Sequence, residues 1–297
     1  QKYKSAIYAI QLIAAAMEED DNLYLVQAND ISSKKQRQSS LMEIERLNMT
    51  SHDGFNLLLP VIEKLRSSKE ESWIIIFSDG MFGDNVYGTK LDRYKIEEDD
   101  YSEFERRWNA VYADKNPNLI FLSISLPGES KNNSLYEKLF KNRPLTKTIE
   151  VPATSESGIK NVLQRSINTI LNIDSYKGKI TTQGNIASLT FEVPVKKLVV
   201  VYQDDNIPYT DLPTLKNAGA DKNMDINKSF HISNEETYPE NIGYVSGRVF
   251  HVEANRGSLP AGAEVKLEFD KAIDKKKLIV LPFADVDFNI GFSGLLK

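Results

Sequence analysis

The residues best placed to do chemistry follow a strongly apolar run. Ile74-Ile75-Ile76-Phe77 leads directly into Ser78-Asp79-Gly80, and Gly83-Asp84 comes just after. An aspartate at the end of a buried strand is either a metal ligand or a turn residue, since Asp-Gly is ordinary turn chemistry. As a ligand, a single carboxylate needs several further oxygens to hold a hard cation. Asp84, behind a glycine, reads most simply as a turn residue. The acidic run Glu97-Glu98-Asp99-Asp100 offers oxygens to calcium, or else forms a solvated lead into a helix, whose first turn favours acidic side chains. Asp285 and Asp287, two apart on a strand, point to one face; that is a calcium site or a polar outer face.

Other chemistries have little to draw on. There are no cysteines, which excludes disulfides, thiolate catalysis and cysteine zinc sites. The three histidines, His52, His231 and His251, include no pair four residues apart. No phosphate loop, dinucleotide glycine pattern or nucleophile elbow occurs. A net charge of −5 gives no reason to expect nucleic acid or anionic lipid as a partner. No apolar run reaches the roughly 20 residues that span a bilayer. With 297 residues, 41% hydrophobic and 27% charged, the chain is long enough for two folded domains.

The elements that would position these residues change character along the chain. Apolar spacing predicts helices over Lys4–Glu19, Ser39–Leu47, Phe55–Arg66, Tyr101–Ala113, Leu135–Phe140 and Ile159–Leu171. Between them lie predicted strands at Leu23–Val26, Trp73–Phe77, Leu119–Ser125 and Thr146–Val151. Alternation of this kind predicts a mostly parallel sheet with helices on both faces. Beyond residue 174 helical spacing vanishes. Predicted strands follow at Ala187–Val193, Lys197–Tyr202, Phe230–Ser233, Tyr244–Glu253, Ala263–Phe269, Lys276–Pro282 and Val286–Phe292, many alternating in polarity, with Asp204–Asn227 as a long loop. That grammar predicts an Ig-like β-sandwich over 178–297 after an α/β domain over 1–174.

Three pieces of the first domain give it a family resemblance: the helix-then-strand opening Tyr3–Ala28, the loop and helix Ser51–Leu65, and the strand ending in Ser78-Asp79-Gly80 with Gly83-Asp84 behind it. In these the chain resembles a von Willebrand factor type A domain. The resemblance implies a Rossmann-like sheet and a metal-ion-dependent adhesion site, where magnesium bridges protein oxygens to a partner's carboxylate. Of that site only Asp79 carries over. Phe55 stands where the family places a threonine, with Thr50, Ser51 and Asp53 nearby. The family's first strand and its Asp-x-Ser-x-Ser loop do not occur. Either residues upstream of Gln1 or another segment is expected to fill the place of that strand.

The functional expectation is a protein-binding, non-enzymatic module for adhesion or assembly, part of a larger bacterial extracytoplasmic protein, with an incomplete or vestigial magnesium site at Asp79. Its partner-facing loops are Asn29–Ser33, Asn48–Asn56, Asp79–Tyr87 and Pro127–Lys131, with Asp53, Asn56, Asp79 and Asp84 as contact residues. The alternatives are a metal-dependent hydrolase using Asp79 and a purely structural part of an assembly.

Overall fold

The computed structural model describes residues 2–17, 23–27, 30–36, 73–78, 102, 106, 118–123 and, from 179 to 284, all but 206, 220–222 and 234–244. The chain divides into two compact units, Gln1–Ile170 and Leu171–Lys297.

In the first unit the opening helix α1 spans Lys2–Ala16. Tyr8, Leu12, Ile13, Ala14, Ala15 and Ala16 are all buried, so its second half has no solvent stripe. A helix apolar all round belongs in an interior. Gln11 is buried there too, and neither its amide nitrogen nor its oxygen has a hydrogen-bond partner among the described residues. Strand β1 (Leu23–Gln27) pairs antiparallel with β2 (Asp30–Gln36), Leu23 opposite Gln36 and Gln27 opposite Asp30. The segment Asn29–Ser33, expected as a partner-facing loop, is therefore mostly strand. Strands β3 (Trp73–Ser78) and β4 (Asn118–Ser123) form a separate parallel pair, Trp73 opposite Asn118 through Ser78 opposite Ser123. Ser102 and Arg106 are helical. The other helices expected before residue 174, and the strand Thr146–Val151, lie outside the described residues.

The second unit holds most of the described structure. Its strands are β5 (Lys179–Gln183), β6 (Ile186–Thr190), β7 (Val195–Asp205), β8 (Leu215–Ala218), β9 (Met224–Ser233), β10 (Val245–Ala254), β11 (Glu264–Phe269) and β12 (Leu278–Ala284). They form one eight-stranded sheet in the order β12-β7-β10-β9-β8-β11-β6-β5, antiparallel at every pairing. This overturns the expected fold class twice. The dominant sheet is antiparallel rather than parallel and Rossmann-like, and it is one sheet rather than the two of a sandwich. The physical reason is that strand periodicity carries no information about pairing direction. Connection length does: the two-residue link between β1 and β2 permits only a hairpin, because a parallel crossover needs a dozen residues or more.

The sheet is curled into a half-barrel, and ring contacts measure the curl. Phe250 on β10 and Phe269 on β11 have centroids 6.3 Å apart at 78°. Two strands, β9 and β8, separate them in the sheet. Flat strands spaced about 4.8 Å apart would put them roughly 14 Å apart. Tyr202 on β7, one strand further away, still reaches Phe269 at 6.2 Å. The concave face closes on itself around Ala187, Leu189, Leu198, Val200, Phe250, Val252, Val265, Leu267 and Phe269, each at most 1% exposed. Alternation sets this face: β11 reads exposed-buried along its length, with Val265, Leu267 and Phe269 inward. The segment expected as the loop Asp204–Asn227 contributes too. It carries β8 and the start of β9, and Leu212, Leu215 and Ala218 enter the core.

Turn chemistry fixes the hairpin between β5 and β6. Gly184 has φ +59°, and Asn185 donates from Nδ2 to the carbonyl of Phe269 at 2.8 Å. Gly219, at φ +85°, is less replaceable, since a Cβ there would overlap Asn223 Oδ1.

Candidate functional site

The residues singled out in the sequence, Asp53, Asn56, Asp79 and Asp84, lie outside the described residues, as do Thr50, Ser51 and the acidic pair Asp285 and Asp287. Asp79 directly follows Ser78, the last residue of β3. No group of three or more metal-ligating His, Asp or Glu side chains occurs among the described residues.

What the described residues do display is a sheet with two unlike convex faces. On β5, β6, β11 and β8 the outward rows are Thr181–Ser188–Lys266 and Gln183–Ile186–Glu268–Asn217. Apart from Ile186 they are polar: Asn217 Nδ2 donates across to Glu268 at 2.9 Å, and Lys266 lies 3.7 Å from Glu264 on its own strand. On β12, β7, β10 and β9 the outward rows are Ile279–Val201–Val249–Phe230 and Leu281–Val199–His251–Lys228. Val199, Val201 and Val249 are 0% exposed, and Ile279, Leu281 and His251 at most 3%. The central strands β7 and β10 are thus buried on both faces, which is unusual for an antiparallel sheet. The buried His251 ring stands edge-on to Phe230 at 5.7 Å, and Lys197 lies 5.2 Å over Phe283.

The polar half ends in an open edge. Among the described residues β5 pairs with β6 alone, and its side chains alternate between exposed and half-buried. Gln183 and Ile186 close the two-residue turn as a paired position. Antiparallel alternation then directs the N–H and C=O of Lys179, Thr181 and Gln183 towards β6, and those of Ile180 and Thr182 outward. Beside this edge lies a shallow depression of about 700 Å³ lined by Thr181, Thr182, Gln183, Ile186, Ser188 and Lys266. Ile186, at 37%, is the exposed large hydrophobic residue among those described.

Among the described residues the two half-sheets join through one pairing, Ala218 opposite Met224. Beyond it β9 parts from β8, and the 3₁₀ turn Tyr209–Asp211 packs against β9 and β10. A polar row crosses the concave face at this split: Tyr202 on β7 opposite Arg248 on β10, and Arg248 opposite His231 on β9. His231 stacks on Tyr209 with centroids 4.4 Å apart at 17°. Arg248 Nε donates to the Tyr209 carbonyl at 3.2 Å. Next to the row, Lys277 Nζ meets Asp204 at 2.6 Å, and the Asp274 amide donates to the Tyr202 hydroxyl at 3.3 Å. The hydrogen bond to Asp204 raises the Lys277 ammonium above its ordinary range. Burial raises the Tyr202 phenol, against the opposing bond from the Asp274 amide.

Neither β5 nor the Arg248–His231 row stands out in the sequence. Lys-Ile-Thr-Thr-Gln is short and polar. The row depends on register, which sets Arg248 and His231 side by side although 17 positions apart, with the shift between His251 and Val252 falling beyond it. A signal was present for Arg248 alone, a charged residue on the strand phase that carries the buried Phe250 and Val252; His231 lies between the apolar Phe230 and Ile232 and reads as an outward polar residue. Compared with protein-family models and with curated proteins, the chain matches none.

Proposed function

We propose that the chain is a protein-binding module without catalytic activity, serving adhesion or assembly in a larger bacterial extracytoplasmic protein, and that it takes its partner by strand addition along β5. The observation that carries this reading is the edge itself. An open strand offers a row of backbone donors and acceptors to an incoming chain, and natural sheets blunt such edges with charge, proline or a bulge. β5 has one lysine at its first position, neither proline nor bulge, and three consecutive residues, Ile180, Thr181 and Thr182, of high strand preference. Strand addition takes affinity from main-chain bonds and specificity from side chains beside the edge; here the depression lined in part by the exposed Ile186 supplies the second. The bacterial extracytoplasmic setting is carried over from the family resemblance, and magnesium at Asp79 rests on the Ser78-Asp79-Gly80 turn alone. The β5 reading needs neither.

The test places a photo-crosslinking residue at Thr181 in the full chain, expressed in its host, with Asp270 as an exposed control position. The reading expects a discrete protein adduct at Thr181, none at Asp270, and loss of the adduct when Thr182→Pro removes one outward N–H without touching a bond to β6. Equal adducts at both positions, or an adduct indifferent to Thr182→Pro, would refute it.

A further inference from the structure

We propose that Arg248 and His231 form a carboxylate-binding site at the split between the two half-sheets. It is separate from strand addition at β5.

Among the described residues Arg248 has no counter-ion. Arg248 is half-buried, and its interaction among the described residues is the bond from Nε to the Tyr209 carbonyl at 3.2 Å. A partly desolvated guanidinium is costly unless its remaining donors are met. The nearby acids among the described residues do not meet them. Asp204 is held by Lys277 at 2.6 Å, and Asp211, in the 3₁₀ turn beside Arg248, makes no ion pair with it. The cross-strand neighbours of Arg248 are Tyr202 and His231, neither an acid.

His231 points to the same conclusion. Directly opposed side chains on antiparallel strands have Cβ atoms about 5 Å apart, so the imidazole and the guanidinium can reach one ligand. His231 lies directly opposite Arg248, and the ring nitrogens of His231 have no hydrogen bond among the described residues. A carboxylate between the two accepts charge-assisted bonds from the guanidinium and a further N–H bond from the imidazole. The geometry is preset on both sides. The bond from Nε fixes the guanidinium plane and leaves the two terminal nitrogens as a fork. The stack on Tyr209, 4.4 Å between centroids, fixes the imidazole, which is exposed and reachable. A fork of two parallel N–H groups matches the two oxygens of a carboxylate. The split supplies the access, since β9 leaves β8 after Met224.

The chain's three histidines make the test direct. Imidazole resonances of the full chain are followed by NMR during titration with three probes: N-acetyl-glutamate amide, carrying only a side-chain carboxylate; N-acetyl-alanine, carrying only a terminal one; and inorganic phosphate. His251, 2% exposed on the opposite face of the sheet, is the internal reference. The expected result is a saturable shift of His231 with at least one carboxylate probe and a still His251. Which carboxylate acts identifies the source as side chain or chain end. Arg248→Gln should abolish the shift. Arg248→Lys, which keeps the charge but loses the fork, should weaken binding about tenfold and guards against misfolding of the glutamine variant. Thr182→Pro and the exposed control Arg256→Gln should leave it unchanged. No saturable shift, a response to phosphate alone, or an undiminished shift in both Arg248 variants would overturn the proposal.

Discussion

Replacing Val201 by alanine separates the two readings of the convex face of β7 most cleanly. On an ordinary antiparallel sheet the face away from the core meets water, and trimming a valine there costs less than about 0.5 kcal/mol. In this sheet Val201 is 0% exposed although it points away from the core cluster, between Ile279 on β12 and Val249 on β10. Val201→Ala removes two buried methyl groups. Transfer at about 0.8 kcal/mol each gives about 1.6 kcal/mol, and the cavity left in a packed layer brings the total to about 2–3 kcal/mol. Ser188→Ala, on the polar convex face, should stay within about 0.5 kcal/mol. Because the chain has two units, a bulk melt mixes their transitions. Native-state hydrogen exchange in low urea, read at the slowest amides of β7 and β10, reports the unfolding free energy of this sheet alone. A loss for Val201→Ala no larger than that for Ser188→Ala would refute the claim that these strands are buried on both faces.

Other outcomes follow from the same packing. Phe250→Ala and Phe269→Ala should each cost about 3–5 kcal/mol, and a double-mutant cycle should show a coupling of about 0.5–1.5 kcal/mol; no coupling would mean the sheet is not curled enough for β10 and β11 to touch. Gln11→Met should raise the stability of the first unit by about 1–3 kcal/mol, read by native-state hydrogen exchange at the slowest amides of α1, since it removes a buried amide without partners among the described residues; a loss would mean the amide is satisfied. Both shifted groups near the split are raised, Tyr202 above 10.0 and Lys277 above 10.5. Each then contributes stability that is fully present below its unfolded value and lost as pH rises through the folded one. Hydrogen-exchange stability of β7 should therefore fall above about pH 10, less steeply in Tyr202→Phe; a flat profile from pH 9 to 11 would contradict the Tyr202–Lys277–Asp204 arrangement.

What could be read from the sequence was the place of strands, not their partners. Lys197–Tyr202, Tyr244–Glu253 and Ala263–Phe269 fall on β7, β10 and β11 because branched and aromatic residues recur there. Direction and order belong to tertiary contacts. Leu23–Val26 looks the same whether it enters a parallel sheet or turns back on Asp30–Gln36, a strand whose Asp-Ile-Ser-Ser-Lys-Lys-Gln reads as loop. β8 was hidden because Asp204–Asn227 is polar on average, although Leu212 and Leu215 are core residues. The Val-Val-Val run 199–201 was the missed clue to burial on both faces, since continuous apolar runs mark doubly covered strands whatever their direction. The residues chosen for metal chemistry lie outside the described structure. The site proposed here uses a histidine and an arginine that only register brings together.

The most direct test of the central claim is amide exchange along β5 in the isolated full chain. An open edge predicts that Ile180 and Thr182, whose N–H groups point outward, exchange far faster than Thr181 and Gln183, which bond to β6. Protection of all four to the same degree would mean that the edge is already covered, and strand addition along β5 would be ruled out.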